Sequence, residues 1–269
     1  SKYNKERCFI IMVKVGFIGA GNMGTAIMKG IIGSGKETEI FAFDLCKEKL
    51  EELAKAGVKS LESENTVVKE CKYIFLAVKP QVIEGVLEKI APDVNSEKVI
   101  VSIAAGISAD FIKSKTKADA KVVTVMPNTP LLVGEGATAL SKCDETTDEE
   151  FAFVCGIFGA CGVYAVIPQD KMKEIIAING SSPAFIYLFA KGFIDYADNV
   201  ATKLFAKTLV GSAKMITDSG YDIDTLIKMV SSPGGTTLAG LDGFYAGKLL
   251  DVVNDACERC TKRAYELSK

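Results

Sequence analysis

The chain has 269 residues, 48% hydrophobic and 25% charged, with a formal net charge of −2 and no histidine. This is a globular balance without the basic field that holds nucleic acid or an acidic membrane surface, and no apolar run reaches the roughly 20 residues that span a bilayer. The missing imidazole removes the commonest metal ligand and the commonest general base together, so no metal site is expected.

In chain order, the leader SKYNKERCFII is basic, but its apolar part is too short for a signal peptide. Residues 1–11 read as an N-terminal extension ahead of Met12. From 12 to 163, apolar strand runs (VKVGFIG, EIFAFD, YIFLAV, KVIVSIA, KVVTVM) alternate with helical runs (MGTAIMKGII, KEKLEELAKAG, PQVIEGVLEKI). The strand runs are continuous rather than alternating, as parallel strands covered on both faces require. The order is that of a doubly wound α/β sheet. From 164 to 269 the strands stop, and KMKEIIAI, SPAFIYLFAKGFIDYADNV, TKLFAKTLVGSAKMITDSG, DTLIKMV and LDVVNDACERCTKRAYEL all read as helix. This second, all-α domain carries apolar residues on more than one helix face, which predicts burial against a second copy of the chain.

Cys8, Cys46, Cys71, Cys143, Cys155, Cys161, Cys257 and Cys260 are scattered through a chain long enough to fold without staples, which points to a reduced, cytoplasmic compartment. Cys257 and Cys260 read as two thiols on one helix face, because no second pair completes a zinc motif.

The sharpest local signal is Gly19-Ala20-Gly21-Asn22-Met23-Gly24, a G-x-G-x-x-G turn between a strand run and a helical run, with Asp44 closing the next strand. In this context the pattern is a dinucleotide-binding turn. Gly19 makes the tight turn, Gly21 lets backbone approach a pyrophosphate, and Gly24 lets helix pack on strand. The helix start presents free N–H groups to the phosphates. Asp44 suits a ribose 2′-OH and repels a 2′-phosphate, and only Lys47 and Lys49 follow it, so the cofactor reading is NAD(P)H with a lean towards NADH. Three further strand ends carry small residues, proline or lysine where a flat ring can lie: Lys79-Pro80, Ala105-Gly106 and Pro127-Asn128-Thr129-Pro130.

AVKP at 77–80, SIAAGIS at 102–108, MPNTP at 126–130, VGEGAT at 133–138, GSSPAF at 180–185 and SSPGGTT at 231–237 follow the glycine turn in this order. Together they resemble pyrroline-5-carboxylate reductase from Met12 to the C-terminus. The resemblance implies a Rossmann-type domain and a helical domain that interlocks with a partner's in a homodimer or higher assembly. It implies reduction of the C=N bond of 1-pyrroline-5-carboxylate to L-proline, the last step of proline biosynthesis. It assigns Ile18, Gly19, Ala20, Gly21, Asn22 and Met23 to the pyrophosphate. It assigns Asn65, Ala77, Val78, Lys79, Pro80, Ala104, Ala105 and Gly106 to the rest of the dinucleotide, and Met126 and Asn128 to the nicotinamide.

The same resemblance makes Ser231–Thr237 the substrate loop. Backbone N–H groups of Gly234, Gly235 and Thr236 can share one concavity suited to a carboxylate, and a helix opening at Thr236 adds its dipole. Ser232 caps or lines the loop, and Thr237 matches the family threonine whose hydroxyl meets the ring nitrogen. Reduction of an iminium needs no strong acid, so orientation of two rings plus one hydrogen bond suffices, consistent with a chain lacking histidine.

Several residues depart from the family pattern: Ser182 stands for a glycine, Phe185 for a tyrosine, Met229 for an amide or acid, and Lys173-Glu174 for a more acidic and apolar pair. Two other readings compete. A β-hydroxyacid dehydrogenase shares the GFIGAGNMG opening, but Lys191 lacks the usual glycine-rich setting of that family's helical lysine. A non-catalytic dinucleotide-binding protein would not need an intact SPGGTT loop.

Overall fold

The computed structural model describes residues 12–196 and 201–267. Residues 1–11 with Cys8, the end of the SPAFIYLFAKGFIDYADNV run at 197–200, and the last two residues lie outside the described residues. The strands are β1 (Val13–Ile18), β2 (Thr38–Phe43), β3 (Lys59–Ser60), β4 (Tyr73–Leu76), β5 (Val99–Ser102), β6 (Lys121–Met126), β7 (Gly136–Lys142) and β8 (Gly162–Val166). Between them run α1 (Asn22–Gly33), α2 (Lys47–Ala54), α3 (Glu64–Glu70), α4 (Ile83–Ile90), α5 (Ala109–Lys115) and α6 (Asp148–Gly159). After them come α7 (Ser182–Tyr196), α8 (Ala201–Asp218), α9 (Ile223–Met229), α10 (Thr236–Ala246) and α11 (Leu249–Glu266). Contacts divide the chain into one unit that runs to Gly180 and takes in the residues from Arg263 onward, and a second from Ser181 to Lys262.

The first unit holds a single sheet ordered β3-β2-β1-β4-β5-β6-β7-β8, in which only β6 and β7 pair antiparallel. Helices cover both faces, which is why the strand sequences are apolar throughout. Val15, Phe17, Tyr73 and Phe75 face one core cluster with Ile27, Ile31 and Phe158. Ile18, Ile74 and Leu76 face the other, with Val67, Leu87 and Ile112. Phe17 and Phe75 stack across the β1–β4 pair at 4.6 Å, the close-packed aromatic contact expected in a buried layer. The strand order reverses between β1 and β4, so their carboxyl ends open the crevice in which such sheets bind ligands.

The structure extends the sequence reading in three places. β3, β7 and β8 were not among the expected strands. β8 carries the sheet through Val166, past the expected end at Val163, because β7 turns back and offers it an edge to pair with. The run KMKEIIAI does not form a regular helix. It folds as tight turns at Gln169–Lys171 and Glu174–Ile176 and a wide turn at Ala177–Ser181. There the buried Asn179 side chain donates to the Met126 carbonyl at 2.6 Å, pinning the segment to the end of β6.

The second unit is helical. None of the residues of α8, α9 and α10 is buried within the chain. Leu188, Leu204, Ile216 and Val230 are each more than half exposed. Phe189, Phe193, Phe205 and Phe244 form its aromatic cluster, with Phe193 and Phe205 stacked at 4.5 Å. Cys257 and Cys260 lie on α11, both free and half-buried, with Cys260 Sγ 3.0 Å from Ser181 Oγ. Among the described residues no cluster of metal-ligating side chains occurs, and no helix is long and apolar enough to cross a membrane.

Glu150 shows how charge is used inside the first unit. It is buried at the third position of α6, where it completes a capping box with Thr147. Burial pushes its carboxyl up, but the Lys121 ammonium at 2.9 Å, the Thr147 N–H and Lys72 outweigh that and hold it below the ordinary carboxylate value. A carboxyl depressed on folding stabilises above its unfolded value, and that contribution disappears as pH falls through the folded one. Glu150→Gln keeps the box and removes the charge. It should cost about 1–3 kcal/mol at neutral pH, and urea unfolding of variant and wild type should converge on acidification; a difference independent of pH would refute the ionic account.

Candidate functional site

The glycine turn sits at the mouth of the β1–β4 crevice. Gly19 adopts φ +102°, and a Cβ on it would lie 2.5 Å from the Ala77 carbonyl oxygen, so the turn and the end of β4 touch through backbone. A Cβ on Gly24 would lie 2.8 Å from the Gly19 oxygen and 3.0 Å from Ala77 Cβ, which is the close helix–strand packing expected of the third glycine. Gly21 differs, because nothing lies within 4 Å of the position a Cβ would take. It caps α1 without a side-chain hydrogen bond. The first-turn N–H groups of Asn22, Met23 and Gly24 therefore lack side-chain acceptors, which is the arrangement that receives a phosphate. Open space over Gly21 and an uncapped helix start fit a dinucleotide pyrophosphate.

Asp44 stands at the end of β2. Its Oδ2 accepts from the Ala20 N–H at 2.6 Å and its Oδ1 from the Cys46 N–H at 2.8 Å. The carboxylate thus ties the glycine turn to the β2 end as well as presenting negative charge there. A cavity of about 410 Å³ opens beside it, lined by Ile18, Gly19, Asp44, Glu64, Val78 and Lys89 among others. Glu64 opens α3, and Lys89 Nζ donates to its Oε1 at 3.0 Å.

Asn65 is not brought to this cavity. Its amide donates to the Lys89 carbonyl at 2.9 Å and to Asp93 at 2.7 Å, latching α3 to α4 and the turn after it. One step along a helix turns a side chain by about 100°, so the residue facing the cleft is Glu64, which sequence reasoning missed. The separation of Asp44 and Glu64 by a strand and a helix hid their meeting.

A second cavity of about 490 Å³ lies at the carboxyl ends of β5 and β6, and Ala104, Ala105, Gly106 and Met126 are among the residues that line it. Its other wall comes from Gln169, Lys173 and Tyr265, none of which the motifs pointed to. Gln169 Oε1 accepts from Thr124 Oγ1 at 2.6 Å, and the Lys173 ammonium stands 5.1 Å from the Tyr265 ring centroid. Asn128 lines neither cavity and is buried with its Oδ1 accepting from the Ala137 N–H at 2.9 Å, so in this structure it fixes the start of β7. Lys79 is exposed, and its carbonyl accepts from Val82 N–H in the turn that leads to α4; Pro80 lies in the same turn.

The Ser231–Thr237 loop belongs to the second unit. Gly234 adopts φ +69°, and a Cβ on Gly235 would lie 2.6 Å from Ser232 Oγ and 2.9 Å from its carbonyl oxygen. Two glycines are needed for two separate reasons. One corrects the sequence expectation: the Gly235 N–H closes a turn onto the Ser232 carbonyl at 2.9 Å and is not a free donor. α10 opens at Thr236 as expected, with Gly235 as its cap and no side-chain hydrogen bond. The donors available to an anion are then the N–H groups of Thr236, Thr237 and Leu238 in the first turn. Thr236 and Thr237 are both exposed.

Residues 169–267 match the family model for pyrroline-5-carboxylate reductase dimerisation, and residues 14–106 match that for coenzyme F420-dependent NADP oxidoreductase. The chain is 34% identical to a pyrroline-5-carboxylate reductase of Escherichia coli, over 95% of this chain and 98% of the relative. It is also 34% identical to pyrroline-5-carboxylate reductase 3 of Danio rerio, over 96% and 92%. Among solved structures, the enzyme of that name from Coxiella burnetii superposes with a TM-score of 0.88 at 28% identity, covering 95% of this chain and 98% of that one. A Plasmodium falciparum pyrroline carboxylate reductase with NADP bound gives 0.87 at 29% identity, over 96% and 98%.

The space around Gly21 separates folding from binding. Gly21→Ala should cost no more than about 1 kcal/mol of stability, the difference between the two residues at a helix N-cap, since its Cβ meets nothing. Its dinucleotide affinity should nonetheless fall about tenfold or more, as the methyl occupies the pyrophosphate's approach. Calorimetric titration beside a denaturant curve tests this; unaltered affinity would mean that phosphate does not lie over Gly21.

Proposed function

The chain belongs to the pyrroline-5-carboxylate reductase family, and from that membership we propose that it reduces the C=N bond of 1-pyrroline-5-carboxylate to give L-proline, using NAD(P)H. The observation that carries the reading is the Ser231–Thr237 bend, where an uncapped helix start behind Gly234 and Gly235 bears two exposed threonines. Such a start attracts a carboxylate, and a hydroxyl beside it can donate to an imine nitrogen.

NAD(P)H, when held here, would supply the hydride for the imine carbon. The chain's own residues do the rest. The α1 start and the glycine turn hold the pyrophosphate, and Asp44 receives the adenosine ribose. The Thr236–Leu238 N–H groups hold the substrate carboxylate, and Thr237 Oγ1 orients the ring nitrogen through a hydrogen bond, accepting from its N–H when the substrate enters protonated. No strong acid is needed if the substrate enters protonated, which suits a chain without histidine.

The cofactor proposed is NADH in preference to NADPH, supported by the Asp44 carboxylate and by the lack of an arginine after it. The NADP-bound relative from P. falciparum shows that the family also accommodates the phosphorylated nucleotide, so titration with both is decisive, and tighter NADPH binding would overturn the preference. Exposed apolar residues on α7 and α8, within a stretch that matches a dimerisation model, support a homodimer or an assembly of dimers. The free cysteines support a reducing, cytoplasmic setting.

The direct test is consumption of NADH, followed by absorbance, with pyrroline-5-carboxylate as substrate and proline as the product identified. Thr237→Ala should lower kcat by a factor on the order of 10–100, the value of a hydrogen bond to a charged group, with dinucleotide affinity retained. Wild-type turnover in that variant would remove the hydroxyl from the mechanism.

A further inference from the structure

We propose that Glu64 and Lys89 form a charge lock at the adenosine end of the nucleotide cleft, and that this pair, acting with Asp44, discriminates against a 2′-phosphate. The lock rests on the reading that this cleft holds the dinucleotide, and it names the residues that set the choice between NADH and NADPH.

Glu64 is 8% exposed at the first position of α3, while the Lys89 side chain, in the last turn of α4, is 61% exposed. Both line the cavity that also contains Asp44, and the three are the charged residues of its lining. Lys47, which follows Asp44 in sequence, opens α2 and is not part of that lining. A 2′-phosphate brings a charge of about −1.5 to −2 into such a site and needs a cation with free donors. Lys89 is the cation on offer here, and its ammonium is held by the Glu64 carboxylate at 3.0 Å.

Glu64 therefore acts twice against the phosphate. It offsets the charge of the lysine and takes one of its three donors, and it adds a second carboxylate to that of Asp44. A ribose 2′-OH meets neither obstacle, because it is neutral and can donate to a carboxylate. The pair is also held in place independently of its charge. Asn65, the neighbour of Glu64, donates to the backbone carbonyl of Lys89 and to Asp93, so α3 and α4 stay in register when the ion pair is removed. A purely structural ion pair would show itself in the melting temperature and not in the choice of nucleotide.

The test is equilibrium titration of the purified full chain with NADH and with NADPH, without substrate, for wild type, Glu64→Gln, Lys89→Gln, the double variant and the charge-conserving Glu64→Asp. Melting temperatures confirm folding. Glu64→Gln should raise the affinity for NADPH relative to NADH by about five- to tenfold. The double variant should lose that gain because the freed ammonium is gone, and Glu64→Asp should keep the wild-type ratio. A ratio in Glu64→Gln within about twofold of wild type, or a gain that survives the loss of Lys89, overturns the lock. Binding is read without turnover, so failure of imine reduction leaves this result standing, and a wild type that prefers NADPH outright is still judged by the change in ratio.

Discussion

The nucleotide site is organised by a carboxylate that bonds backbone. Asp44 accepts the Ala20 N–H and the Cys46 N–H, so the glycine turn after β1 and the chain leaving β2 are drawn to one point. The Gly19 N–H adds a bond to the Phe43 carbonyl at 2.8 Å, and the Ala77 N–H another to Ile18 at 2.9 Å. Three strand ends are thus stitched through main chain around the turn. This fixes the direction of α1, and with it the unfilled N–H groups that make the crevice attractive to phosphate. Asp44 consequently has a structural role besides its negative charge.

The same economy of side chains recurs in the Ser231–Thr237 loop. A chain without histidine has few groups that exchange protons near neutrality, and several of its lysines are surface groups paired with carboxylates. Backbone N–H groups and two exposed threonine hydroxyls are the polar groups that the bend before α10 offers. That division suits hydride transfer to an already polarised C=N bond, where the main contribution a protein makes is to hold the partners in line. The glycines at 234 and 235 are required by a left-handed φ and by contact with Ser232, and both requirements serve to start α10 at Thr236.

The two units solve the burial problem differently. The sheet unit buries its strands between two helical layers, and its core residues are fully enclosed. The helical unit leaves Leu188, Leu204, Ile216 and Val230 in the open. That surface lies within the stretch that matches a dimerisation model, 169–267.

Much of this was legible in the sequence, because the signals were local. Runs such as YIFLAV declare a strand buried on both faces, G-x-G-x-x-G with Asp44 declares the crevice, and Pro-Gly-Gly followed by two threonines declares a bend that opens a helix. What depended on contacts between distant residues was not legible. β8 becomes a strand only because β7 turns back to offer an edge, and 171–178 loses its helix because Asn179 is drawn to the Met126 carbonyl. The cleft receives Glu64 rather than Asn65, since helix phase is set by how α3 packs, and the Gly235 N–H is spent on Ser232 rather than on a ligand. Local propensity fixes which residues can turn, extend or coil; which side chain then faces a cavity, and which N–H remains free to meet a ligand, is decided when separate elements pack and satisfy one another's polar groups.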